Sequence, residues 1–157
     1  MIAGMDVGQK KIIIAYPSNS EIPIFEKVKR INDKSTSIYL AKLLKRKGID
    51  KVAIENPESL RADAWIDPNV KKYRETMNII LFLEEFKKAL ENERMEAIPI
   101  NPRETSNRCP KCNKKLEILN EDIHILHCPF CDLTLDKDEI ASWNILNRGM
   151  RKIKVKE

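Results

Sequence analysis

Four cysteines constrain this chain more than any other feature of its sequence. They form two Cys-x-x-Cys pairs, Cys109 with Cys112 and Cys128 with Cys131, separated by fifteen residues. Each pair presents two sulfurs from one tight turn, and two such turns at this separation are typical of a zinc ribbon. Because all four ligands would be protein thiolates, no coordination position is left for water. We therefore expect one structural Zn²⁺.

Two alternatives to a four-cysteine zinc site were weighed. Two disulfides would use the same cysteines, but a reducing compartment and the regular spacing favour the metal. His124 and His127 lie between the pairs, where we expect solvated side chains on a hairpin, and a liganding histidine stays open. Asn113 and Asp132 each follow a pair, at a position that usually takes the left-handed conformation, which Asn and Asp tolerate.

Length and charge restrict the class of protein. A chain of 157 residues suits one domain with a small insert. The net charge of +5 favours an anionic partner, with nucleic acid the first candidate, while a Lys- and Glu-rich surface from a thermophilic host explains it equally well. The start lacks a signal peptide, and no apolar run is long enough to cross a bilayer. We expect a cytoplasmic protein, or one from a virus or mobile element that acts in the cytoplasm.

The hydrophobic pattern alternates between strands and helices. It predicts strands over 1–7, 11–16, 23–28, 51–55 and 96–100, helices over 35–47, 71–92 and 137–148, and a long loop over 56–70. This order predicts an α/β fold, in which helices flank a mixed five-stranded sheet and the cysteine segment is inserted before the last helix.

Acidic residues interrupt two of the most apolar predicted strands. Asp6 stands within IAGMDVG, and Glu55 closes VAIE. A carboxylate inside such a strand costs several kcal/mol unless it is paired or bound to a metal. Either acid alone would fit a solvated strand edge. With a third acid at the start of the last helix, the pattern favours a shared site for Mg²⁺ or Mn²⁺, with room for two ions.

Two residues compete for the role of third acid. Asp136 with Glu139 three residues later makes a capping box, which would direct Asp136 to backbone N–H groups of the last helix. Asp138 then lies on the first turn and is free to point at the sheet. We prefer Asp138 as the ligand and leave Asp136 open as an outer-shell ligand.

The motifs together resemble the RuvC-type nuclease domain of the RNase H fold, in the version found in TnpB-family transposon proteins and type V CRISPR effectors. The resemblance is carried by four segments, GMDVGQKKIIIAY, VAIEN, INPRETSNRCPKC and CPFC followed by LDKDEIASWNIL. It implies that Asp6, Glu55 and Asp138 are catalytic. Ile140 departs from the family, whose members usually have Asn at that position.

The resemblance also implies a domain organisation. Residues 1–104 and 134–150 would form the RNase H-like catalytic core, 105–133 the inserted zinc ribbon, and 151–157 a basic tail. The family's long guide-binding region does not precede the first strand, so we do not expect an RNA guide from this chain alone.

These observations predict a Mg²⁺- or Mn²⁺-dependent endonuclease that hydrolyses DNA phosphodiesters by a two-metal route. Without guide binding, the substrate would be selected by shape, which favours branched DNA such as Holliday junctions, or single-stranded DNA. Cleavage of a junction would require a homodimer. The alternative is an inactive nucleic-acid-binding module or accessory protein of a transposon or virus, which the departure at Ile140 supports.

Several side chains are weaker candidates for contact with nucleic acid. Trp65 suits stacking on an unpaired base, although core packing is an equal alternative. The basic candidates, on the loops and near the cysteines, are Lys10, Lys11, Arg61, Arg103 and Lys111.

Overall fold

The computed structural model describes residues 1–156, which form eight strands and four helices. The strands are β1 (Ile2–Val7), β2 (Lys11–Tyr16), β3 (Ile24–Lys29), β4 (Lys51–Glu55), β5 (Glu96–Ile100), β6 (Glu117–Asn120), β7 (Ile125–Cys128) and β8 (Leu133–Asp136). The helices are α1 (Asp33–Arg46), α2 (Pro57–Ile66), α3 (Val70–Asn92) and α4 (Lys137–Lys156). Within this part of the chain, no helix combines the length and the hydropathy that crossing a bilayer requires.

Two sheets organise the molecule. The larger has the order β3-β2-β1-β4-β5, with β1 at its centre, and the smaller joins β6, β7 and β8. β1 pairs antiparallel with β2 and parallel with β4, so the predicted mixed five-stranded sheet is confirmed. The smaller sheet carries the second cysteine pair and leads directly into α4.

Helices cover the two faces of the larger sheet separately. On one face, α1 and α3 bury a core that includes Met5, Ile14, Leu44, Phe82 and Phe86. On the opposite face, α4 packs its Ile145 and Leu146 against apolar residues of four strands. β1 is therefore buried from both sides, which explains its continuous apolar run.

Gly4 allows α4 to lie directly on β1. A Cβ atom at Gly4 would stand 2.6 Å from the carbonyl oxygen of Ser142 and 2.5 Å from the amide nitrogen of Leu146, both in the backbone of α4. Ser142 and Leu146 are four residues apart and so lie on one helix face, which Asp138 continues towards the helix start. The helix face that packs on the sheet thus leads to the predicted third acid.

The structure corrects two predictions of secondary structure. The segment after Glu55 is not a loop, because Asn56 caps α2 by accepting from the N–H of Glu58 and Pro57 occupies the first turn, where proline is favoured. The last helix does not end at residue 148. Gly149 lies inside it because the glycine packs closely on Ala53, and the helix continues through Lys156. Of the basic tail predicted over 151–157, residues 151–156 are therefore helical, and residue 157 lies outside the described residues.

We expect Gly4→Ala to lower the free energy of unfolding by about 3 kcal/mol, because the added methyl group meets helix backbone that cannot rotate away. Urea unfolding followed by circular dichroism measures this loss. Gly48→Ala is the matched control, since Gly48 has a φ of 82° and open space around its Cβ position. It should cost only about 1 kcal/mol, from the left-handed backbone alone. Equal losses for the two variants would contradict the close approach.

Candidate functional site

The four cysteines converge on one point. Their sulfur atoms all lie within 4.8 Å of one another, and those of Cys112 and Cys128 are 3.6 Å apart. A tetrahedral Zn²⁺ with bonds of about 2.3 Å needs sulfurs roughly 3.8 Å apart, so the cluster fits Zn²⁺. A disulfide requires a separation of about 2.05 Å, and all four cysteines are free. The predicted four-cysteine cluster is confirmed, and its chemistry suggests structural zinc.

The backbone around the cysteines has the conformation that the sequence predicts for such turns. Asn113 has a φ of 64° and Asp132 a φ of 52°, both in the left-handed region. A hydrogen bond from the backbone N–H of Lys114 lowers the pKa of Cys112 to about 7, which favours the thiolate that binds metal. His127 lies outside the cluster, with its Nδ1 2.9 Å from the Thr134 hydroxyl oxygen.

Two asparagines of α4 hold the segment that enters the ribbon. The side-chain amide of Asn144 donates to the carbonyl oxygens of Thr105 and Arg108, at 2.7 and 2.8 Å. Asn147 donates in the same way to the carbonyl of Pro110, at 3.0 Å, within the first cysteine pair. The helix that begins at the third acid therefore also fixes the zinc site. Sequence reasoning did not assign this role, since an asparagine in a helix has no signal that names its partner.

Asp6 and Glu55 stand side by side on neighbouring strands. β1 and β4 are parallel, with Gly4 opposite Ala53, and each acid lies two residues beyond its member of that pair. Because side chains alternate along a strand, both acids lie on the same face as Gly4, which is the face that α4 covers. Both are partly buried near the carboxyl ends of their strands.

Asp138 approaches the same region from the first turn of α4. The capping box predicted beside it is present, with Asp136 Oδ1 accepting from the N–H of Asp138 at 2.8 Å and Glu139 Oε1 accepting from the N–H of Asp136 at 3.3 Å. Asp136 is thus occupied with the helix start. The Asp138 carboxylate forms an ion pair of 3.2 Å with Lys11.

Burial disfavours the charged forms of Asp6 and Glu55, and neighbouring negative charges add to this effect for Asp6. Burial, followed by the negative charges of Glu55 and Asp138, holds the pKa of Asp6 well above its usual range. Burial also raises the pKa of Glu55 to about 7, partly offset by Arg148. Lys137 lowers the pKa of Asp6 in the same compensating way. A divalent cation would relieve this repulsion far more than these side chains do.

The carboxylate oxygens are near one another but do not form a closed ligand set. Within residues 1–156, only the four cysteines place ligand atoms from three or more residues within 4.8 Å. The ion pair with Lys11 is one reason that the Asp138 carboxylate does not join Asp6 and Glu55 in such a ligand set. A common metal site for Asp6, Glu55 and Asp138 therefore stays a prediction.

The remaining candidate contacts lie at the surface. Trp65 is 78% exposed, so core packing is wrong for it. Arg61 forms ion pairs of 2.9 Å with Glu58 and 2.6 Å with Glu84, which reduces its availability to phosphate. Lys111 pairs with Glu21 at 3.1 Å. Lys10 and Arg103 are exposed.

Zinc analysis tests the cysteine cluster. We expect purified protein to carry one Zn²⁺ per chain by plasma mass spectrometry, and Cys128→Ser to lose it because only three thiolates remain. The melting temperature should fall in the same variant. His124→Ala is the control, and it should keep full zinc content. Loss of zinc from the histidine variant alone would contradict the four-cysteine assignment.

The raised pKa of Glu55 predicts a dependence of stability on pH. Between its usual pKa of 4.5 and its folded value of about 7, the folded protein retains a proton that the unfolded chain releases. The free energy of unfolding therefore falls as pH rises through this window, by up to about 3 kcal/mol. At pH 8, without Mg²⁺ or Mn²⁺, Glu55→Gln should be more stable than the wild type in urea unfolding.

Glu117→Gln is the control for this effect, because Glu117 is exposed on β6. It should leave the pH profile of unfolding unchanged. A Glu55→Gln variant that loses stability on going from pH 5 to pH 8 as steeply as the wild type would contradict the burial of the Glu55 carboxylate.

Known proteins are similar to this chain in the cysteine segment and in the fold. Residues 82–145, which include all four cysteines, match the family model described as "Cas12f1-like, TNB domain". A search of curated proteins finds no match. The solved "Cryo-EM structure of the Cas12f1-sgRNA-target DNA complex" matches with a TM-score of 0.69 and 16% identity, over 93% of this chain and 49% of that chain. The "Cryo-EM structure of CRISPR-Cas12f Ternary Complex" matches with a TM-score of 0.64 and 16% identity, over 93% of this chain and 38% of that chain.

These comparisons differ in what they establish. The chain spans about half or less of the two solved proteins, and at 16% identity the likeness concerns the fold. The family model adds the sequence of the cysteine segment and the start of α4. Residues 82–145 are therefore similar to the Cas12f1-like TNB domain, and the α/β fold of the chain is similar to that of the two solved proteins, with the four cysteines arranged as in a zinc ribbon.

Proposed function

We propose that this chain is a metal-dependent nuclease domain that hydrolyses DNA phosphodiester bonds. The observation that carries the proposal is the position of Asp6 and Glu55, each two residues beyond the paired Gly4 and Ala53, on the face covered by α4. The first turn of this helix carries Asp138. Buried like charges are costly, and a fold that keeps them is best explained by a cation that they bind.

The carboxylates fit divalent cations by their chemistry. Oxygen donors suit Mg²⁺ or Mn²⁺, whereas the thiolates of the ribbon suit Zn²⁺. Asp6, Glu55 and Asp138 would hold the Mg²⁺ or Mn²⁺ ions, and bound ions of this kind stabilise the negative charge that develops at phosphorus and at the leaving oxygen. The residues Lys11, Lys137 and Arg148 supply the positive charge that surrounds the acids.

DNA is the substrate class that we propose, with single strands or branched DNA such as a Holliday junction as the forms to be tested. The basic net charge, and the similarity of the fold to a protein solved in complex with target DNA, support nucleic acid as the partner. We propose a homodimer only if the substrate is a four-way junction, because its cleavage requires two active sites. A mobile-element or viral source stays a prediction.

A second candidate function is a binding module without catalysis. The specific observation in its favour is the Asp138–Lys11 ion pair, which leaves the three acids without a closed ligand set. Ile140, which differs from the family pattern, is fully buried and packs with Trp143 and the cysteine segment rather than with solvent. Packing therefore explains why Ile140 replaces the usual Asn of the family. The replacement does not by itself imply that the function of the acids is lost.

A cleavage assay separates the two functions. We expect cleavage of labelled single-stranded or four-way-junction DNA in Mn²⁺, and a loss of at least about 100-fold in rate for Asp6→Asn, Glu55→Gln and Asp138→Asn, because each removes a ligand from the shared site. Gel electrophoresis of the products measures the rates.

Asp63→Asn is the matched control, since Asp63 is an exposed acid on α2. It should cleave at the wild-type rate. Binding of DNA by the wild type without cleavage of any form would favour the binding module, and cleavage that survives Asp6→Asn would show that the site is elsewhere.

A further inference from the structure

Three lysines lie beside the acids on the same face of the larger sheet. The register of the antiparallel strands places Asp6 opposite Ile13, and Ile13 opposite Lys27. One step nearer the end of the sheet, Lys11 lies opposite Lys29. Residues paired in this way share a face, so Lys11, Lys27 and Lys29 stand on the face that carries Asp6. We call these three residues the lysine row.

The row extends beyond the part of the sheet that α4 covers. α4 reaches β3 through Trp143, whose ring lies 6.4 Å from that of Phe25, but Lys27 and Lys29 beyond Phe25 are exposed. A cleft of about 250 Å³ lies beside Lys27, with Lys11, Glu26 and Lys27 on its sheet side and Asp136 and Glu139 on its helix side. The cleft therefore connects Lys27 with the start of the helix that carries Asp138.

The charges of the two outer lysines are available. Among the residues that the structure describes, no carboxylate lies within 4.0 Å of the ammonium group of Lys27 or of Lys29. Lys11, the inner member, pairs with Asp138. The two outer lysines thus place positive charge on β3, beyond the acids, where it can draw a polyanion towards a metal site.

Lysines on an edge strand have another common purpose. β3 is an edge strand of the sheet, and exposed lysines there prevent pairing with a second sheet edge. The positions favour a binding role. Both lysines lie on the face of the acids, whereas the opposite face of β3 presents Ile24, Glu26 and Val28.

We propose that the lysine row binds successive phosphates of one nucleic-acid strand and leads that strand across β3 and β2 to the acids. This inference rests on the proposed function and adds the route of the substrate. Lys27 and Lys29 are two residues apart, so their side chains leave the strand roughly 7 Å from each other. Flexible ammonium groups at this spacing suit a sequence-independent contact with phosphates.

Salt-dependent binding tests the row. The probe is a fluorescein-labelled 20-nucleotide oligothymidylate, and fluorescence anisotropy measures binding between 50 and 300 mM NaCl without Mg²⁺ or Mn²⁺. Loss of two single-strand phosphate contacts in the double variant Lys27→Gln/Lys29→Gln should flatten the slope of log K against log salt by about 1.4 and weaken binding roughly 20-fold at 0.1 M NaCl.

Lys34→Gln/Lys42→Gln is the matched control. It removes the same charge from exposed positions of α1, on the other side of the sheet. It should leave both slope and affinity near the wild-type values. An equal loss of affinity in the two double variants would overturn the proposal, because net charge alone would then explain the binding. Wild-type affinity in the row variant, or no binding by the wild type, would overturn it as well, and self-association of the row variant with unchanged affinity would assign the lysines to edge protection.

Cleavage kinetics distinguish this inference from the proposed function. If both hold, the row variant should raise KM about 20-fold and leave kcat near the wild-type value, because the acids are untouched. A wild type that binds through the row but never cleaves would refute the nuclease and retain the row. A wild type that cleaves with an unaltered KM in the row variant would refute the row and retain the nuclease.

Discussion

The contact between α4 and β1 at Gly4 is the constraint on which the rest of the structure depends. Any side chain at this position would meet the backbone of Ser142 and Leu146 within 2.7 Å. The contact fixes both the distance and the direction of the helix over the central strand. Because Asp138 lies one helical turn before Ser142, the same contact directs it towards Asp6, so a packing requirement and a site requirement coincide at one glycine.

The burial of Asp6 and Glu55 lowers the stability of the fold, and apolar packing has to compensate for this loss. Asp6 and Glu55 are partly buried, and burial raises the pKa of both, with the negative charges of Glu55 and Asp138 as a further cause for Asp6. The apolar cores on the two faces of β1 supply the stability that these charges remove. Sites of this kind are retained for what they bind rather than for what they add to folding, and this is the physical basis for preferring a catalytic role over a structural one.

Much of this organisation is legible in the sequence. The cysteine spacing predicts the cluster, and the apolar runs predict all five strands of the sheet, because both depend on local patterns. α2 was missed since two prolines suggested a loop, although Asn56 followed by Pro57 is a helix start. The predicted end of the last helix at residue 148 is wrong, because Gly149 lies inside α4, where its close packing on Ala53 and Ile2 leaves no room for a side chain. Relations across strands, such as Asp6 beside Glu55 or the lysine row, require a register that no local pattern supplies.

The hydrogen bonds of Asn144 and Asn147 end on main-chain oxygens rather than on side chains. They hold Thr105, Arg108 and Pro110 by their carbonyl groups, which every amino acid possesses. The path of the polypeptide into the ribbon is thus specified by two helix residues, whereas the identity of the residues along that path is largely unconstrained. Such a stem permits the hairpin beyond it to diversify during evolution. A single scaffold can thereby carry different hairpins while the positions of Asp6 and Glu55 stay the same.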